Sequence, residues 1–404
     1  MCVLPKMNFF SRIFPPAIFG PAAKGFDLLV LQTFCSKLLL PDLDSVARDQ
    51  ISLPIHLGGF GLRLMQKVSY ISYLSALAQY YHRIAPLVPS PDLLSRSSPI
   101  SFVKSLYLCY KYLLDANVKL PAPVPPLAEN FFLDFKNTPA FAGLERFKSL
   151  ISKTPASSED RARFHSLSDK SSSYWLSTPP ISSHYILPNT TFNIACRVRL
   201  GLPPFDDLKS CSCGDNLFLH PLHFLTCKLL RSSITARHDM LLQDLARIAR
   251  LSGTAVQCEP HLALGAEGNR TDGIFFFLSI PTHIDVSVIH PATSSYAKKY
   301  PRPLAAVKKR EQEKRQLYLH AAQTQGALFF PVIIESFGTF GPGSISFISR
   351  LAEEATNSGI NSIEDQPIKG FICRSLSFTL MKGNANILLS GSRSSRSRLN
   401  IGQF

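Results

Sequence analysis

Thr254-AVQCEPHLAL, Asp272-GIFFFLSI, His283-IDVSVI and Ala327-LFFPVIIESFG are four short runs, the last three rich in Val, Ile and Phe, and their reading decides the fold. Strands look like this: β-branched and aromatic residues between Gly, Pro, Ser or Asn punctuation. Ahead of them, Arg237-HDMLLQDLARIARLSG places Leu241, Leu245 and Ile248 on one helical face and stops at Ser252-Gly253. Between the third and fourth runs, residues 303–325 read as a second helix. The resulting order is α-β-β-β-α-β, part of a mixed α+β fold.

Outward from this block the chain divides by composition. Residues 1–85 read as a helical segment, turned at Leu53-PIHLGGFGLRL where glycines break the pattern. Within it, Phe26-DLLVLQTFCSKLLL is interrupted by Asp27, Gln32 and Lys37, which predicts an amphipathic buried helix. Residues 86–190 read as a Pro/Ser-rich linker with short helices, and Ser157 to Pro180 as polar surface. Residues 191–232 hold a cysteine–histidine cluster, 233–345 the α/β block, and 346–404 a basic, partly disordered tail. That tail ends in Ser390-GSRSSRSRLNI, with Arg393, Arg396 and Arg398. It reads as a solvated end, a nucleic-acid-contacting arm or a nuclear signal.

The bulk numbers bound the function. In 404 residues, 45% are hydrophobic, enough for real cores, which excludes wholesale disorder and collagen-like or coiled-coil builds. A net charge of +15 favours a polyanionic partner, nucleic acid before an anionic membrane. No run of about 18 apolar residues is present, so no membrane span is expected. Nine cysteines, six of them scattered singly, suit a reduced intracellular protein rather than a disulfide framework.

The remaining three cysteines are concentrated. Cys211-S-Cys213-G-D-N-L-F-L-His220-P-L-His223-F-L-T-Cys227 gathers five soft donors on one short stretch. Tetrahedral Zn²⁺ needs four such donors, and Gly214 permits the tight turn after the first pair. The favoured set is Cys211, Cys213, His223 and Cys227, with Pro221 starting a helix that projects His223 and Cys227 together; His220 is the alternative ligand. A chance cluster in a loop is the competing reading.

Three acids lie at strand positions. Glu259 sits near the end of the first run, Asp272 opens the second, and Asp285 lies inside the third between Ile284 and Val286. An acid in a core strand is costly unless it is paired, hydrogen-bonded or bound to a cation. Two carboxylates on neighbouring strands can share a hard ion such as Mg²⁺. In strict alternation, however, Asp285 shares a face with His283 and Ser287, so a solvated face is the alternative. In the following helix, Val307, Glu311, Lys314, Tyr318 and Ala321 fall on one stripe, which turns Lys314 inward. An inward lysine beside a two-carboxylate metal site suits phosphodiester hydrolysis, because it can steady the charge that develops there.

Taken in order, His223-FLTC, Arg237-His238-Asp239, Glu259-Pro260, Arg270-T-Asp272, Asp285-V-S, Lys314-RQL-Tyr318 and Phe330-PVIIESFGTFGP resemble the C-terminal half of a non-LTR retrotransposon polyprotein. There a zinc knuckle precedes a restriction-like PD-(D/E)XK endonuclease. Phe26-Asp27, Leu53-PIHLGGFGLR and Arg197-VRLGLP are similar to the thumb, the connector and the segment leading to the knuckle. The resemblance implies a Mg²⁺-dependent nuclease that nicks target DNA to prime reverse transcription, with element RNA as a further partner and the nucleus as its place. It assigns Asp272 and Asp285 as the metal-binding acids, Lys314 and Tyr318 as the displaced catalytic lysine and its companion, and Glu259 as an assisting acid. Thr271 replaces the proline of the motif, and Ser287 stands where a restriction enzyme carries lysine. No aromatic-x-Asp-Asp palm motif is present, so the chain is expected not to polymerise DNA and to read as a truncated or split copy, with any reverse-transcriptase domain on another chain. The runner-up is an inactive nucleic-acid-binding relic, and a purely structural zinc protein comes third.

Overall fold

The computed structural model describes residues 3–84, 108–109, 111–112, 157–260, 270–278, 280–299 and 302–401. The chain forms two compact units, Met1–Pro155 and Ala156–Phe404. Most of the expected linker, and the end of the first strand run beyond Pro260, lie outside the described residues.

The first unit contains helices α1 (Val3–Ile13), α2 (Pro16–Lys37), α3 (Ser45–Ser52) and α4 (Met65–Ile84). Asp27 of α2 is buried, and its two carboxylate oxygens accept the N–H groups of Met65 (2.6 Å) and Gln66 (2.9 Å). These are the first amides of α4, which have no intrahelical acceptor, so Asp27 caps a helix remote in sequence. Burial pushes the Asp27 carboxyl up, while the two amides and Lys67 pull it back down. The buried apolar face expected along residues 26–40 is therefore displaced: α2 buries Pro16, Phe19, Ala23 and the acid itself, whereas Leu28 and Leu29 are exposed. The α3–α4 turn is as expected, with Gly58 and Gly61 at φ of 85° and 69°.

The second unit is a mixed α+β structure. Helices α5 (Ser158–Leu167), α6 (Tyr174–Ser177), α7 (Asn189–Leu200) and α8 (Arg231–Leu251) precede strands β1 (Ala255–Cys258), β2 (Gly273–Phe276) and β3 (Pro281–Ile289). Then follow α9 (Ser294–Lys299), α10 (Ala305–Thr324), β4 (Leu328–Glu335), α11 (Pro342–Asn357), the small β5 (Ser362–Ile363) and β6 (Gln366–Pro367), and α12 (Ile368–Ile401). The four-stranded sheet runs β1-β2-β3-β4, antiparallel at the first two junctions and parallel at the third. A parallel β3–β4 pair needs a crossover, and α10 lies within it. Pro331 pairs in register with Asp285 but sits on edge strand β4, where its missing N–H is tolerated. Phe275 and Phe347 meet edge to face, 4.9 Å between ring centroids, fixing α11 against the sheet.

Two expectations about this unit are corrected. The stretch from Ser157 to Pro180 is not merely polar surface, because Phe164, Leu167 and Trp175 are buried and its serines are bonded locally. Ser172 Oγ, for example, donates to the carbonyls of Leu167 (2.9 Å) and Asp169 (2.8 Å). The tail is also not disordered over its described length. Helix α12 buries Ile368, Phe371, Ile372, Leu376, Phe378, Leu380, Ile387 and Leu388, and it packs along α8. Arg398 stands in its last turn, where a cation complements the helix dipole.

Candidate functional site

Asp272 stands at the mouth of the β2–β3 ladder. Its N–H donates to Ile284 O (3.0 Å), and its carbonyl accepts Glu259 N–H (2.7 Å), so its backbone is fixed on both sides. Its Oδ2 accepts the N–H of Val286 (2.6 Å), the residue after Asp285, which brings the two acids onto adjoining backbone. The same oxygen meets His238 Nε2 of α8 at 2.9 Å. The other ring nitrogen of His238 meets Asp239 Oδ1, also at 2.9 Å. The bond to Asp272 raises the His238 pKa, burial opposes it, and Asp239 raises it further, to about 9. With both nitrogens facing carboxylates, His238 is an imidazolium at neutral pH.

Asp285 is 3% exposed. Burial pushes its carboxyl up and neighbouring Asp272 adds to this, while Lys314 and Arg310 pull it down. Lys314 Nζ lies 2.8 Å from Oδ1 and 2.9 Å from Oδ2, reaching from α10 to both oxygens. The solvated-face alternative fails because β3 is covered on both faces: His283 is also buried, its Nδ1 2.9 Å from Thr271 Oγ1. Tyr318 lies one turn beyond Lys314, with the ammonium 5.7 Å from its ring centroid, within cation–π range. Its hydroxyl donates to Arg270 O (3.1 Å), and burial, with the two acids adding, pushes its pKa up to about 12. Glu259 is exposed at φ 49°, tied to the pair through its backbone amide.

Asp272, Asp285, Lys314 and Tyr318 thus come together, and His238 joins them. Sequence reasoning carried His238 within a motif but gave it no role. The available signal was its neighbour Asp239, a carboxylate next to an imidazole on the helix that leads into the first strand.

The cysteine–histidine set also converges. The donor atoms of Cys211, Cys213, His223 and Cys227 all lie within 4.8 Å of one another and can hold a metal ion. Among the described residues this is the one group of three or more Cys, His, Asp or Glu so arranged. Cys211 Sγ is 3.7 Å from Cys227 Sγ, and Cys213 Sγ is 3.1 Å from His223 Nε2. His223 Nδ1 faces Asp215 Oδ2 at 3.0 Å, a carboxylate that orients the ring and leaves Nε2 for the cluster. His220 is exposed and stands outside the group. The expected helix at Pro221 is corrected: His223–Thr226 is a single 3₁₀ turn and Cys227 is extended. The ligands meet because the loop folds back, not because they share a helical face. Burial pushes the Cys211 thiol up; burial also acts upward on Cys213, but the Asp215 amide and the neighbouring thiols pull it down.

No family model and no curated protein matches this chain. No described helix is long and apolar enough to cross a membrane.

Proposed function

We propose that this chain is a Mg²⁺-dependent DNA endonuclease fragment of a non-LTR retrotransposon polyprotein, its α8–β4 block a restriction-like nuclease domain that nicks target DNA for priming. The observation that carries the reading is Lys314, held by both oxygens of a buried strand acid one residue from the amide that binds Asp272. A merely structural ion pair has no need of a second carboxylate beside it, because like charges raise each other's cost.

The donors suit the metal. Mg²⁺ takes oxygen ligands and is commonly held by one or two carboxylates, with water and substrate phosphate completing its shell. Asp272 and Asp285 supply those carboxylates. Held by Asp272 and Asp285, Mg²⁺ would supply Lewis-acid polarisation of a phosphodiester and a more acidic water. Lys314 places a positive charge where the pentavalent phosphate becomes more negative, and Tyr318 limits its swing. His238 holds the Asp272 carboxylate pointed at β3. Glu259, exposed at the same mouth, is suited to placing a water.

At the cysteine cluster, zinc is the fitting ion. Two bonds of about 2.3 Å at a tetrahedral angle separate their sulfurs by roughly 3.8 Å, close to the Cys211–Cys227 spacing. The donor set is soft, and an acid backs its histidine. Zinc here would be structural, fixing a knuckle beside the nuclease block. The partners follow from this reading: target DNA, element RNA, and a reverse-transcriptase domain carried on another chain, all met in the nucleus. An inactive binding relic is the second reading, favoured by His238 and Lys314 already neutralising both acids.

Supercoiled plasmid incubated with the protein and Mg²⁺ separates the two. Nicking by the wild type, abolished in Asp272→Ala and Asp285→Ala while DNA binding persists, supports the nuclease. Wild-type binding without cleavage leaves the relic.

A further inference from the structure

The turn after β4 closes over a carboxylate that neither candidate site uses. Glu335 ends that strand, 3% exposed, and its Oε2 is buried with no hydrogen-bond partner. The Glu335 N–H donates to Thr339 O (2.8 Å), folding residues 335–339 back on themselves. Residues 158–177, which hold α5 and α6, lie against this turn. Thr339 Oγ1 donates to Ser166 O (2.5 Å), and Ser171 Oγ accepts the N–H of Phe340 (3.0 Å). The Tyr174 and Phe340 rings are 6.4 Å apart between centroids. A Cβ added to Gly338 would come 3.1 Å from Ser172 Cα, so the two backbones touch.

The charges around Glu335 leave it uncompensated. Among the described residues, Asp169 of the covering segment is the one charge acting on it, and it has the same sign. The arginines of that region are engaged with other groups. Arg163 pairs with Asp160 and donates to Arg199 O (2.6 Å), while Arg199 donates to Ser172 O (3.2 Å). Burial and Arg161 hold His165 below the usual histidine range. Beyond β3, His290 lies 2.6 Å from Ser336 Oγ, and burial with Arg237 pushes it down to about 3, so it brings no charge. Burial pushes the Glu335 carboxyl up, the Ser166 hydroxyl pulls it back and Asp169 adds to the rise, leaving it at about 7. Protonated, the side chain is neutral and tolerates its place. Ionised, it is a buried charge with one oxygen unbonded and no cation beside it.

We propose that Glu335 is a pH-operated latch for residues 158–177: carrying its proton it lets them close over the β4 turn, and losing that proton drives them off. The covering segment also packs on α9, inside the β3–β4 crossover, so its release loosens the chain leading into α10 and Lys314. Asp272, Asp285 and the cysteine cluster have no part in the latch. With the segment open, the carboxyl meets water and returns towards its ordinary value of 4.5. The closed value is the higher one, so closure is tightest below about pH 4.5 and weakens as pH climbs through 7.

Hydrogen–deuterium exchange of the full chain, corrected for the intrinsic pH dependence of amide exchange, reads the opening. From about pH 6 to about pH 8, protection across residues 158–177 and at the Phe340 amide falls by about 10-fold in the wild type and stays level in Glu335→Gln. An equal fall in Glu335→Gln, or none in the wild type, overturns the proposal. So does a fall shared equally by the amides of β3, which would mark global unfolding instead of release of one segment. Carbon-13 NMR of the wild-type Glu335 carboxyl needs no substitution: a midpoint near 7 is expected, and one near 4.5 overturns the latch.

Discussion

The cysteine cluster and the carboxylate pair each gather groups that can bind a cation, and they are assembled in opposite ways. Four soft donors come from one loop, 17 residues end to end, and a single fold-back suffices to bring them together. The hard site draws on α8, the β2–β3 ladder and α10, so Asp272 meets a histidine 34 residues away and Asp285 a lysine 29 away. The two also differ in what balances their charge. The carboxylates already hold an ammonium and an imidazolium, whereas the thiol cluster has its own histidine and no lysine or arginine in the set. Thiolates brought so close repel one another unless an ion sits among them. The first site is thus part of the folding of its loop, and the second is a preformed polar network that stays intact without metal.

That contrast can be broken by substitution. The largest effect is expected at the thiols: Cys227→Ser, or a zinc chelator, lowers stability by about 3–5 kcal/mol in chemical denaturation and frees the end of α12 to trypsin. Omitting Mg²⁺ from the buffer, with zinc kept, leaves the same melting curve unchanged. Next comes Lys314→Ala, which strands a buried carboxylate and costs about 3 kcal/mol at neutral pH. Adding Asp285→Asn to it recovers much of that loss, because an amide carries no charge to leave unpaired.

His238 sharpens the comparison through pH. Its folded pKa is raised to about 9, above the free-histidine value, so its contribution is full below about pH 6.5 and disappears as pH climbs through 9. His238→Gln should therefore cost roughly 2 kcal/mol at pH 6 and little at pH 10, read from denaturation midpoints at each pH. An equal loss at both pH values would mean that the ring is held by packing, not by its charge. The smallest effect lies in the other unit: Asp27→Ala uncaps α4 and costs about 1–2 kcal/mol in that unit's transition alone.

What the sequence made legible follows from the same locality. The strands showed because Val, Ile and Phe recur between turn residues, and inward Lys314 showed because Val307, Glu311 and Tyr318 share its stripe. The cysteine set showed through spacing, whereas the preference for His223 over His220 rested on a helix at Pro221 that does not form. His238 was hidden because the partner that gives it a role, Asp272, lies 34 residues on in sequence. The long helix α12 was hidden by its own glycines and serines, which read as a loop. In the structure these glycines are where neighbours come close: a Cβ at Gly383 would lie 2.5 Å from Arg237 Cγ, and one at Gly391 2.6 Å from the Phe224 ring. Asp27, seen as a break in an apolar run, is buried because it caps a helix nearly forty residues on. Composition reports neither kind of long-range fit.

The central claim is that Asp272 and Asp285 hold one divalent cation beside Lys314. Titration of the zinc-loaded protein with Mn²⁺, followed by electron paramagnetic resonance with a short DNA duplex present, measures this directly. The account predicts one saturable site per chain, lost in Asp285→Asn and in Asp272→Asn but kept in Cys227→Ser molecules that remain folded. A site that persists in both acid variants would contradict it.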